Sequence, residues 1–145
     1  MYESILVAID GTDASNAALE HALSIAAAFD AAVHVVTVVE SAGGRLGFDV
    51  EDVAELDAAI RDLVDASVAA SDRPTVTIDT EVRRAQTPSD GILAHAEAVG
   101  AGLVVAGRHG STSLPEAILG STADRLARLS PVPVVLVPRP EASSE

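Results

Sequence analysis

Ile5-Leu6-Val7-Ala8-Ile9-Asp10-Gly11-Thr12 decides the fold. A continuous apolar run of strand length stops at Asp-Gly, and Thr12 or Asp13 then offers a helix N-cap. Ala18, Leu19, Ala22, Leu23, Ala26 and Phe29 follow at helical spacing and predict one buried face. The chain thus opens on a strand, a turn and a helix.

The same unit recurs outward. Val33 to Val39 is rich in β-branched residues and predicts a second strand, followed by the glycine-rich loop Ser41 to Arg45. A helix is expected from about Asp49 to Ala70. Val53, Leu56, Ile60, Leu63, Ser67 and Val68 make its apolar face, and Asp52, Glu55, Asp62 and Asp65 its solvated side. Pro74 breaks the chain, and Val76 to Val82 alternates as a third strand. Thr87-Pro88-Ser89-Asp90 is a helix start, with a capping Thr, Pro at the first helical position and an acid in the first turn. Ile92, Leu93 and Ala96 predict its buried face, and Gly100 its stop. Leu103 to Ala106 reads as the fourth strand, ending at Gly107. A loop then runs from Arg108 to about Leu114. The last helix starts at Gly120-Ser121-Thr122 and reaches Ser130, and Pro131 to Val137 is the fifth strand. Its two prolines suit an edge.

Five strands alternating with four helices predict an α/β domain: an open parallel sheet, Rossmann-like, with right-handed crossovers and helices on both faces. One domain is expected over residues 1–145, with a core from 4 to 138 and a polar tail from 139 to 145. No internal repeat is evident.

Composition removes whole classes of chemistry. The 145 residues carry 22 Asp plus Glu against nine bases, a net charge of −13, and every base is Arg. Without Lys there is no Schiff base and no P-loop lysine. Without a basic stripe there is no case for a nucleic-acid partner. Without Cys there is no disulfide, thiolate metal site or cysteine nucleophile. Hydrophobic content of 48% and mean hydropathy of +0.32 exclude a disordered acidic chain. The core must be aliphatic, because aromatics are 2%. The start Met1-Tyr2-Glu3-Ser4 lacks a signal-peptide pattern, and Asp30 and His34 interrupt the most apolar stretch, Leu23 to Val39. A soluble cytoplasmic protein with no membrane partner is expected. The acidity fits adaptation to high salt, a GC-rich genome, or both.

Ligands of open parallel sheets bind beyond the carboxyl ends of the strands, where strand order reverses. Polar and glycine residues gather after the first strand (Asp10-Gly11-Thr12-Asp13) and after the fourth (Gly107-Arg108-His109-Gly110). Gly107 and Gly110 allow close backbone approach. Gly120-Ser121-Thr122 opens a helix whose free N–H groups and dipole favour an anion. This is either a phosphate cradle built without lysine or an ordinary helix cap after a glycine turn. Arg108 suits a phosphate clamp or a solvent-facing role. His109 suits phosphate contact when protonated, or exposure in a loop.

Gly107, two residues, Gly110, nine residues, Gly120-Ser121 resembles the nucleotide-binding signature of the universal stress protein family. The opening Ile5 to Thr12 resembles that family's first strand with its Asp, and Ser130 to Val137 its last strand. The likeness spans about Ser4 to Pro138. It implies sheet order 3-2-1-4-5, ATP (or AMP or ADP) at the ends of strands one, two and four, and a homodimer through the last strand, Val132 to Val137. Carried over by position, Asp10 would contact ribose, Ala8 and Ile9 would line the pocket, and the Val38 backbone would face adenine. Gly107 would lie near ribose, and Gly110, Gly120, Ser121 and Thr122 would hold phosphates. A Mg²⁺ or Mn²⁺ ion would sit on the phosphates rather than in a carboxylate cage. The chain departs from the family pattern at Gln86, before the third helix, and at Ala123.

No residue set commits the chain to catalysis. Slow ATP hydrolysis or autophosphorylation is the most that the motifs allow. A serine nucleophile near His109 (Ser111, Ser113) lacks the strained strand-to-helix elbow. His21 and His95 are expected to be partly exposed and His34 structural, without metal-ligand spacing. A nucleotide-dependent stress or signalling module acting on an unknown protein partner is the leading reading. The alternatives are a nucleotide-free dimerisation or scaffold module of the same fold, and a weak ATPase.

Overall fold

The computed structural model describes residues 2–40, 50–70, 76–109 and 119–140. Its elements alternate as β1 (Ser4–Ala8), α1 (Asp13–Phe29), β2 (Ala32–Glu40), α2 (Val50–Ala70), β3 (Ile78–Ala85), α3 (Pro88–Val99), β4 (Leu103–Gly107), α4 (Ser121–Leu129) and β5 (Val134–Val137). The five strands are all parallel, in the order β3-β2-β1-β4-β5. Strand order reverses at β1, so β1 and β4 flank the switch point.

The centre of the sheet explains the run that opens the chain. In β1, Ile5 and Val7 face one core with Val33, Val35, Leu103 and Val105, against Leu19, Leu23 and Ala26 of α1 and Ile60 and Val64 of α2. Leu6 faces the other core with Val36, Val104 and Ala106, against Ile92 and Ala96 of α3 and Leu126 of α4. A strand covered on both faces has no position for a polar side chain, hence the unbroken apolar sequence. Small residues along α1 (Ala14, Ala18, Ala22 and Ala26, all buried) let that helix lie close on the sheet.

Several strand boundaries differ from the sequence reading. β3 runs from Ile78 to Ala85 rather than 76 to 82, because it pairs with β2 along Val33 to Glu40. It is an edge strand, so charged Arg83 and Arg84 are tolerated in it. β5 is confined to Val134–Val137. Pro131 and Pro133 have no N–H to give a ladder, although the Pro133 carbonyl accepts from the Val104 N–H at 3.0 Å. Ile9 lies just past the end of β1, its N–H still bonded to the Val36 carbonyl at 2.9 Å.

Two side chains sit otherwise than expected. Phe29, at the last turn of α1, is 44% exposed and meets Tyr2 edge to face. His95 is buried, because a helix starting at Pro88 sets Ile92, His95 and Ala96 on one face towards the sheet. His21 is exposed. The expected loop at 41–45, Asp49, Pro74, the Asp52 and Val53 side chains and the Ser111 and Ser113 positions lie outside the described residues. Among the described residues, no helix is long and apolar enough to cross a membrane.

Candidate nucleotide site at the strand ends

The register of the sheet brings the predicted residues together. Val7 lies opposite Val105, and Ala8 opposite Val36. Asp10 and Arg108, which follow β1 and β4, therefore leave the sheet at the carboxyl ends of its strands, beside the last residues of β2. Thr37 fastens two of these ends: its buried hydroxyl donates to the Ile9 carbonyl at 2.9 Å.

The turn after β1 is organised around Asp10. One carboxylate oxygen, Oδ1, accepts from the Thr12 N–H at 3.0 Å and from the Thr12 hydroxyl at 2.6 Å. Thr12 Oγ1 in turn accepts from the Ser15 N–H and caps α1. The Asp10 N–H donates to Ser15 Oγ at 3.2 Å. Oδ2 accepts no hydrogen bond from a described residue, so one face of an exposed carboxylate is held still and the other stays open. Gly11 supplies the backbone the turn needs, at φ +85°, with open space where a side chain would be.

Gly107 has the opposite reason for being glycine. Its φ is ordinary, but a Cβ there would stand 2.9 Å from the Ala14 Cβ and 3.1 Å from the Ala14 carbonyl carbon. The end of β4 therefore lies directly against the first turn of α1. Beyond it, Arg108 is held at both ends of its peptide unit: its N–H donates to the Val137 carbonyl at 2.7 Å, and its carbonyl accepts from the Gly120 N–H at 3.0 Å. His109 is 2% exposed, which removes the exposed-loop alternative. Gly110 lies outside the described residues.

The Gly120 bond to Arg108 sets the start of α4 beside the end of β4. Gly120 is the N-cap, and among the described residues no side chain caps the helix. By contrast, Thr12 caps α1 and Thr87 caps α3 through their hydroxyls. The first N–H groups of α4 thus lack the side-chain acceptor that the other two helices have. Ser121 is exposed, Thr122 half-buried and Gly120 buried. Ala8 is half-buried and Ile9 is 4% exposed, so both border the same strand ends. Among the described residues, no three His, Cys, Asp or Glu side chains converge as a metal cage.

Sequence reasoning missed Ser15, Thr37, Ser89 and Arg125. The spacing Asp10-x-Thr12-x-x-Ser15 is a readable signal, since an Asx turn followed by a capping hydroxyl uses those residue types. Thr37 and Arg125 act on partners far along the chain, and nothing local marks them.

The chain matches the sequence profile of the universal stress protein family over residues 1–138. A universal stress protein of Methanocaldococcus jannaschii is 31% identical over 146 residues, covering 97% of this chain and 85% of the relative. A crystal structure of a universal stress protein in complex with cAMP superposes with a TM-score of 0.69 at 25% identity, covering 96% of this chain and 98% of the other. A universal stress protein from Archaeoglobus fulgidus in complex with dAMP shares the fold, with a TM-score of 0.67, 23% identity, and coverage of 94% and 98%. Strand order, the strand-end turns and the family profile agree, and the chain belongs to the universal stress protein family.

Proposed function

We propose that this protein binds an adenine nucleotide, ATP, across the carboxyl ends of β1, β2 and β4, as a dimeric module whose nucleotide state alters its partner surfaces. The observation that carries the proposal is the uncapped start of α4. Its N-cap, Gly120, is bonded to Arg108 at the β4 exit, and after the neighbouring β1 comes Asp10, whose Oδ2 accepts no hydrogen bond from a described residue. The cAMP complex of a family member supports the ligand class.

In this reading Asp10 Oδ2 accepts from a ribose hydroxyl, Ala8 and Ile9 border the nucleoside, and the Val38 backbone faces adenine. Gly107 lets the β4 exit approach the ribose. Ser121 and Thr122 donate to phosphate, and Gly120, whose own N–H is given to the Arg108 carbonyl, lets phosphate come close to the helix start, with Arg108 and His109 at its flank. A chain of net charge −13 without lysine meets the phosphate charge with amides, hydroxyls, arginine and a divalent cation carried on the phosphates. The homodimer is proposed through β5, which ends the sheet and whose four residues are all half-buried.

Calorimetric titration in molar salt tests the proposal. Wild-type protein should bind ATP more tightly with Mg²⁺ or Mn²⁺ than with chelator. Gly120→Val should abolish binding; φ −65° there is open to any residue, and the melting transition, followed in parallel, checks that the buried position takes the added volume. Ser121→Ala with Thr122→Ala gives a second check at smaller volume. Absence of binding at millimolar ATP overturns the reading in favour of a nucleotide-free scaffold, and survival of binding in Gly120→Val overturns the phosphate assignment.

A further inference from the structure

We infer that Arg125 is a positioning residue for the phosphate end of this site, acting through Ser89; the inference rests on the nucleotide reading above. Arg125 lies one turn into α4, on the same helix face as Ser121. Its Nε donates to Ser89 Oγ at 2.9 Å, and Ser89 is 1% exposed. Its terminal nitrogen is 3.8 Å from the Asp90 carboxylate. Ser89 Oγ in turn lies 3.3 Å from the hydroxyl of Thr87, the residue that caps α3 and accepts from the Asp90 N–H. A polar chain therefore runs from the N-cap of α3, through a buried serine, to the first turns of α4.

This tie matters because of what α4 lacks. A side-chain cap fixes the first turn of α1 and of α3, and among the described residues the first turn of α4 has none. Among the described residues, two polar holds tie α4 to its neighbours beside the packing of Ala123 and Leu126: the Gly120 bond to the Arg108 carbonyl, and Arg125 with Ser89 and Asp90. The first sets where the helix begins, and the second sets its rotation and tilt against α3. Amides used for anion recognition must point at the ligand before it arrives, so a lever one turn away governs phosphate affinity without touching phosphate. A second ion pair of α4, Arg128 with Asp124, is exposed and lies within one helix.

Affinities for ATP and for adenosine, measured on the full chain, separate positioning from general stability. Arg125→Gln and Ser89→Ala should each weaken ATP about tenfold, a typical loss for a charge-assisted bond. Adenosine, which lacks phosphate, should bind both variants as it binds wild type. The double variant should be no weaker than either single one, and Arg125→Lys should recover part of the loss. Equal losses for ATP and adenosine, or no loss for either, overturn the inference while leaving the nucleotide reading intact. A loss in Arg125→Gln without one in Ser89→Ala means that Arg125 touches phosphate itself, and the positioning role is wrong. A wild-type protein that binds neither ligand overturns the nucleotide reading and the inference with it.

Discussion

Replacing Gly107 by Ala isolates the packing that sets the end of β4 against α1. The added methyl meets the Ala14 Cβ at 2.9 Å, the Ala14 carbonyl carbon at 3.1 Å and the Ser15 nitrogen at 3.2 Å. Two of these three atoms are backbone of the first turn of α1, and a backbone cannot rotate aside as a side chain does. Overpacking by a methylene costs about 1 to 3 kcal/mol, and contacts with backbone place this change in the upper part, about 2 to 3 kcal/mol. For a domain of this size each kcal/mol shifts the midpoint by about 4 °C, so the variant should melt about 8 to 12 °C lower. Circular dichroism melts without nucleotide measure this directly. Ala14→Gly removes the closest atom and leaves the backbone contacts. In the Gly107→Ala background it should therefore recover part of the loss, giving a favourable coupling in a double-mutant cycle. A midpoint within about 2 °C of wild type, or strictly additive variants, would refute the close-approach argument for Gly107.

Two further changes probe other parts of the account. Asp30 closes α1 in the left-handed region at φ 57°, where a glycine has no Cβ penalty; Asp30→Gly should stabilise by about 0.5 to 1 kcal/mol, read as a rise in melting midpoint. The Arg83 guanidinium donates to His95 Nδ1 at 2.9 Å, so the ring carries its proton on Nε2. Burial first, and then the Arg83 charge, hold His95 below the ordinary histidine pKa, with Glu81 opposing and His34 reinforcing the shift. The neutral ring is thus favoured on folding, its contribution is complete above the unfolded pKa of 6.5, and it is lost as pH falls through the lowered folded value. Melting midpoints of wild type should fall more steeply than those of His95→Gln below about pH 6.5, and parallel profiles would refute the role of His95.

How much was legible depended on where each residue's partners lie. β1, β2 and β4 were read nearly to the residue, because strands buried on both faces show as near-continuous apolar runs. β3 was placed about two residues early at its start and three at its end. An edge strand whose half-buried and exposed positions alternate carries a weaker pattern, and Arg83-Arg84 resembles a loop when its partner strand is unknown. The caps at Thr12 and Thr87 were legible because capping is local. The left-handed closure at Asp30 was not, since glycine is the usual signal there. Gly11 and Gly107 looked alike in the sequence, yet one serves a torsion angle and the other a contact with a helix 93 residues away in the chain. The Arg125 bond to Ser89 spans 36 residues and exists only once α3 and α4 lie side by side on the sheet.

A crystal structure of the protein grown with ATP and Mg²⁺ tests the central claim most directly. The account predicts density across the ends of β1, β2 and β4, with a ribose hydroxyl on Asp10 Oδ2 and phosphate against Gly120 at the N–H groups of Ser121 and Thr122. Nucleotide bound elsewhere, or empty strand ends at saturating ligand, would contradict it.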